Sequence, residues 1–121
     1  MAYKIERNKY GVIKRFSGVV TYDDVLGSEQ QVHSDPNFTV MRYVVSDYTH
    51  AEYNGLTESQ RRDINALRIG GHFSNPRIKY AFVLQSPEIR AQIESAVANG
   101  EMLYPTGTFD TMEEASDWAG L

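Results

Sequence analysis

Short alternating or β-branched runs give way repeatedly to segments with helical apolar spacing, so that the chain reads as β-β-α-β-α-β-α-β-α. A first strand around Tyr3 to Glu6 and a turn at Asn8 and Lys9 precede a second strand from Gly11 to Ser17. In that second strand Val12, Lys14 and Phe16 alternate with Ile13 and Arg15. The close turn predicts an antiparallel hairpin at one side of the sheet. Met41 to Val45 and Tyr80 to Leu84 are short, β-branched or aromatic runs of the kind that form buried strands.

The helix starts are marked by side chains able to accept from free backbone N–H groups. Thr21 with Asp24, and Thr57 with Gln60, have capping-box spacing. Ser86-Pro87-Glu88 places proline in the first helical position. Asp110 or Thr111 with Glu113 or Glu114 opens a last helix whose Met112, Ala115 and Trp118 share one face. Asp35-Pro36-Asn37, Gly70-Gly71 and Asn99-Gly100 are the expected stops. A short fifth strand is expected near Met102 to Tyr104, ahead of Pro105 and Gly107. Strands alternating with helices imply an α/β fold with a mixed, mostly parallel sheet of about five strands, an antiparallel edge hairpin and about four helices.

Composition narrows the function classes. With 121 residues, 41% hydrophobic and 23% charged, the chain fits a single globular domain over 1–121. It has no cysteine, which removes disulfides, thiol catalysis and thiolate metal sites and fits a cytoplasmic setting. A net charge of −4 with no basic cluster argues against nucleic-acid binding. No apolar run approaches the roughly 18–20 residues of a membrane span, and MAYKIERNKYGVIKRF has no signal-peptide core. A soluble protein without membrane association is expected.

The order of elements, the stretch Ser17-Gly18-Val19-Val20-Thr21-Tyr22-Asp23-Asp24, and the closing run from Phe109 to Trp118 resemble the SpoIIAA-like branch of the STAS superfamily. That group includes bacterial anti-sigma-factor antagonists and the cytoplasmic domains of sulfate transporters. The resemblance implies a single STAS-like domain with a regulatory or protein-interaction role. In the antagonists a buried strand ends in Asp, and the following helix begins with an Asp-Ser-Ser/Thr-Gly signature that is phosphorylated. Asp47 matches the first of these; the signature is replaced by Tyr53-Asn54-Gly55-Leu56-Thr57-Glu58-Ser59-Gln60. Thr57 falls near the phospho-acceptor position.

The segment from Ser46 to Thr57 is the expected site, because it leaves a central strand at its carboxyl end, where open α/β sheets bind ligands. Asp47, Thr49, His50, Glu52, Tyr53 and Asn54 are its candidate binding residues. The simpler role for Asp47, Thr49 and Thr57 is to satisfy backbone groups in turns and caps. One histidine among acids has no metal-ligand spacing, so no metal and no cofactor is expected. Gly-x-Ser-x-Gly is absent, no catalytic residue is assigned, and Gly70-Gly71 lacks the context of a phosphate loop.

The leading expectation is therefore a non-enzymatic regulatory module that presents the 46–57 loop and the next helix to a protein partner or to a second copy in a homodimer. A carrier of a small molecule or lipid is the alternative, with Tyr53, Phe73, Tyr80, Phe82 and Trp118 lining a cavity. An enzyme using Asp47 and His50 is the third.

Overall fold

A computed structural model describes residues 2–121. The elements are β1 (Tyr3–Asn8), β2 (Gly11–Val19), α1 (Tyr22–His33), a 3-10 turn (Phe38–Val40), β3 (Tyr43–Glu52), α2 (Glu58–Ser74), β4 (Lys79–Val83), α3 (Pro87–Ala98), β5 (Thr106–Phe109) and α4 (Met112–Ala119). One five-stranded sheet has the order β1-β2-β3-β4-β5. β1 pairs antiparallel with β2, and every other pair is parallel.

That sequential order decides where the helices lie. Each parallel connection steps to the next strand in the same direction, and crossovers of one hand then put all connecting helices on one face. Val25 and Val32 of α1, Ile64 of α2 and Ile89 of α3 accordingly pack together on Val12, Phe16, Val44, Tyr48, Tyr80 and Phe82. α4 follows the last strand and is free of that rule. Its Ala115 and Ala119 cover Tyr43, Val45, Ala81 and Val83 on the opposite face. β3 and β4 are thus buried on both sides, which is why they read as nearly continuous apolar runs.

The expected caps form. Thr21 and Asp24, and Thr57 and Gln60, exchange both capping-box hydrogen bonds. The Ser86 and Thr111 hydroxyls accept from the N–H groups of Ile89 and Glu114. No helix among the described residues is long and apolar enough to cross a membrane.

β1 and β2 each run two residues past their expected ends, to Asn8 and Val19, and three further boundaries differ more widely. β3 continues past Val45 to Glu52, because β2 is long enough to pair with it over that whole distance. α2 runs through Gly70-Gly71 to Ser74, since Gly71 is a packing residue and not a stop. A Cβ on Gly71 would lie 2.5 Å from His33 Nε2 and 3.0 Å from the Phe38 ring, so only glycine lets α1 and α2 approach so closely. The fifth strand is Thr106–Phe109 and not 102–104. Tyr104 is buried by packing against the rings of Tyr80 and His72, a side-chain cause that mimics a strand pattern. On α4 the fully buried residues are Ala115 and Ala119, with Met112 and Trp118 half-buried at the margin.

Candidate functional site

The register of β2 against β3 changes midway: Arg15 pairs with Asp47, but Ser17 pairs with His50. Two residues of β3, Tyr48 and Thr49, therefore stand opposite the single Phe16, which is a β-bulge. Asp47 sustains it. Its carboxylate accepts from the Thr49 backbone N–H at 3.0 Å and from the Thr49 hydroxyl, and it pairs with Arg15 Nη1 at 3.0 Å. Asp47 is buried on the α4 side of the sheet, whereas Tyr48 turns to the α1–α3 side.

The expected 46–57 loop is thus mostly strand, and its candidate residues diverge. Thr49, His50 and Glu52 are exposed along β3, and Asn54 is exposed beyond it. Tyr53 turns inward and stacks on Tyr48, with ring centroids 4.6 Å apart; Tyr48 stacks in turn on Phe16 at 4.4 Å. Thr57 is exposed as the N-cap of α2, its hydroxyl accepting from the Gln60 N–H. Asp47 and His50 are not brought into contact with one another by any hydrogen bond or ion pair, and Asp47 is already engaged by Arg15 and Thr49. Among the described residues no three His, Asp or Glu side chains converge as metal ligands.

A concavity lies elsewhere, on the three-helix face at the carboxyl ends of β3 and β4. It is a cavity of about 490 Å³. The sheet contributes Tyr48, Phe82 and Leu84; the segment before α2 contributes Tyr53 and Leu56. α2 supplies Ile64, Asn65 and Arg68, and α3 supplies Ile89, Ile93 and Ala96. Arg61, Arg62, Glu58 and Glu101 are the charged groups that complete it. Of the five aromatics expected to line a cavity, Tyr53 and Phe82 do so. Phe73 is 81% exposed, and Trp118 packs on the α4 face. Tyr80 is buried beneath the Arg68 guanidinium, 5.3 Å from it.

Behind the Arg68 wall lies an ionic cluster that the sequence reading did not identify. Glu29 Oε1 accepts from Lys14 Nζ at 2.7 Å and from Arg68 Nη2 at 2.9 Å and Nε at 3.3 Å. Burial works to raise the Glu29 carboxyl, but Arg68 and Lys14 together overcome it and hold its pKa at about 2. Burial lowers the Lys14 amine, and the repulsion of Arg68 adds to that against the pull of Glu29. His33 places Nδ1 2.7 Å from the Glu29 backbone carbonyl, which accepts its proton. Glu29 Oε2, 3.6 Å from His33 Nδ1, and the Tyr80 and Tyr104 hydroxyls are buried without a hydrogen-bond partner. Burial raises the Tyr53 and Tyr104 phenols to about 12 and the Tyr48 and Tyr80 phenols further.

The signal for this cluster was present. Lys14 stands between Val12 and Phe16 on the inward side of β2, and Glu29 lies between Val25 and Val32 on the apolar stripe of α1. A charge at each of two inward positions needs a partner. What the sequence lacks is the pairing across 15 and 39 residues that brings Lys14, Arg68 and Glu29 together.

Five strands in sequential order, with three helices on one face and one on the other, form a SpoIIAA-like fold. Solved structures bear this out across nearly the whole chain. The anti-sigma factor antagonist SpoIIAA in its unphosphorylated form superposes with a TM-score of 0.66 at 12% identity, covering 96% of this chain and 94% of that one. An uncharacterised protein from Shewanella loihica PV-4 with a SpoIIAA-like fold gives 0.61 at 19% identity, over 98% and 92%. The Bacillus cell fate determinant SpoIIAA in its phosphorylated form gives 0.58 at 15% identity, over 97% and 98%. No family model and no curated protein matches the sequence.

Proposed function

We propose that this protein is a non-enzymatic binding module of the STAS type that takes a small, largely apolar molecule in the cavity between α2, α3 and the sheet. The cavity itself carries the reading. Its volume of about 490 Å³ falls inside the roughly 300–1,000 Å³ usual for small-molecule sites. Its walls join aliphatic and aromatic surface to a few polar groups, the usual make-up of such sites. The test is fluorescence titration with N-phenylnaphthylamine, a neutral apolar probe, on the wild type and on Ala96→Trp, which fills the space from α3. Saturable binding that the substitution weakens at least tenfold is expected. Absence of saturable binding, or equal binding by a folded Ala96→Trp variant, removes the reading.

A second reading rests on the fold shared with an anti-sigma factor antagonist. It is a regulatory contact with a protein partner, or with a second copy of the chain, through residues 53–57 and the first turn of α2. Thr49, His50 and Glu52 would form a neighbouring polar edge, and Thr57 an accessible modification site. Light scattering across a concentration series and pull-down with the wild type and Arg62→Glu test it. A monomer at every concentration with no stoichiometric partner rules it out.

A further inference from the structure

The cavity lining is mixed: α3 adds Gln92 and Ser95 to its apolar side chains, and α2 brings the three cations, Arg61, Arg62 and Arg68, beside Glu58 and Asn65. Arg68 is only 13% exposed and uses Nε and Nη2 on Glu29. Arg68 lines the cavity and Glu29 does not, and Nη1 is the one guanidinium nitrogen that makes no hydrogen bond among the described residues. Glu29 is shared with Lys14, so one carboxylate serves two cations. At the mouth Arg62 is paired with Glu58 at 2.7 Å, while Arg61 donates to the Leu56 carbonyl and has no carboxylate partner among the described residues. The charged lining is three arginines against Glu58 and Glu101. A planar guanidinium edge in apolar surroundings matches a carboxylate or sulfonate in shape and charge, and low polarity strengthens that bond.

We propose that the cavity binds a free amphiphile with a single anionic head, a carboxylate or sulfonate, seated on the open edge of Arg68 with its apolar body between Tyr48, Ile64, Phe82 and Ile93. This rests on the reading of the cavity as a ligand site and specifies the ligand's chemistry. The head replaces water on a guanidinium whose own carboxylate is divided between two cations. The body covers aromatic and aliphatic wall. Tyr53, stacked on Tyr48, adds a second aromatic ring to the lining.

The experiment displaces N-phenylnaphthylamine with sodium laurate or with dodecanol, which share a tail and differ in charge. Losing a charge-assisted bond in a desolvated site corresponds to roughly tenfold in affinity. The ratio of laurate to dodecanol affinity is expected to fall about tenfold in Arg68→Gln, with dodecanol binding changed less than about threefold. Laurate, and not dodecanol, should also shift the Nε–H resonance of Arg68 in the wild type, a readout that needs no variant. An unchanged ratio with an unmoved resonance overturns the proposal while leaving the cavity a site for neutral molecules. Failure of N-phenylnaphthylamine and dodecanol to bind at all overturns the parent reading instead. Phosphatidylglycerol vesicles matching laurate as displacers would assign the anion to a membrane surface and likewise overturn a free amphiphile.

Discussion

Lys14 on β2 and Glu29 on α1 meet at 2.7 Å with their side chains 1% and 0% exposed, and Arg68 reaches the same carboxylate oxygen from α2. The Glu29 side chain therefore ties α1 to both the sheet and α2. Glu29→Gln leaves two buried cations without a counter-charge and is expected to cost about 3–5 kcal/mol. Lys14→Met leaves the Arg68–Glu29 pair intact and removes an amine that burial disfavours, so it should change stability by less than about 1.5 kcal/mol. Urea unfolding of the two variants measures both. Equal effects would contradict the shared-carboxylate arrangement.

The same carboxylate sets the acid limit. Its folded pKa of about 2 lies below the ordinary 4.5, so its ionised form favours the folded state. That stabilisation is complete above about pH 4.5 and is lost as the pH falls toward 2. The stability gap between wild type and Glu29→Gln should shrink over that window and be constant through neutrality. A gap that does not change with pH would refute the assignment.

At the alkaline end the sign reverses. Tyr53 and Tyr104 ionise at about 12 in the folded chain, because burial disfavours the phenolate. The unfolded chain ionises them near 10. Stability therefore falls as pH rises from about 10 to 12, and tyrosinate absorbance should appear together with loss of the far-ultraviolet circular dichroism. Tyrosinate appearing well before unfolding would show these rings to be accessible.

Asp47→Ala is expected to destabilise by roughly 1–3 kcal/mol, through loss of the Thr49 N–H acceptor and the Arg15 partner. Because Asp47 faces α4, on the other side of the sheet from the cavity, N-phenylnaphthylamine affinity should be unaltered. A fall in probe affinity without loss of stability would return Asp47 to the binding site.

The adjacent glycines of α2 should respond oppositely. Gly71→Ala drives a methyl into His33 and Phe38 and is expected to cost about 1–3 kcal/mol. Gly70 has open space where its Cβ would stand, and Gly70→Ala should stabilise the helix by about 0.5–1 kcal/mol. Thermal unfolding of the pair is enough to check this.

Local chemistry made much of the fold legible. Thr21, Thr57, Ser86 and Thr111 announce helix starts because capping involves neighbours in sequence. The length of β3 was hidden, since polar Asp47 and Thr49 look like a turn until the bulge gives them ladder work. Gly70-Gly71 looked like a terminator because a glycine needed for close helix packing and one that ends a helix are the same letters. Tyr104 drew the fifth strand toward itself because burial by ring packing and burial by a sheet leave the same apolar trace. The cavity wall was invisible for a different reason: Arg68 acquires its role only from Lys14 and Glu29, residues far from it along the chain.

α3 fully buries only Ile89, its Ile93 and Ala96 being half-covered at the cavity margin. The cavity is thus walled on one side by a helix held with little apolar contact, while the opposite wall is the rigid sheet. Segments with few buried contacts open locally at a small fraction of the global unfolding free energy. For the proposed ligand, exchange is expected to follow local opening of α3 between Ser86 and Asn99, with the strands left paired. Its residence time is then expected to respond to surface substitutions on α3 that never touch the bound molecule.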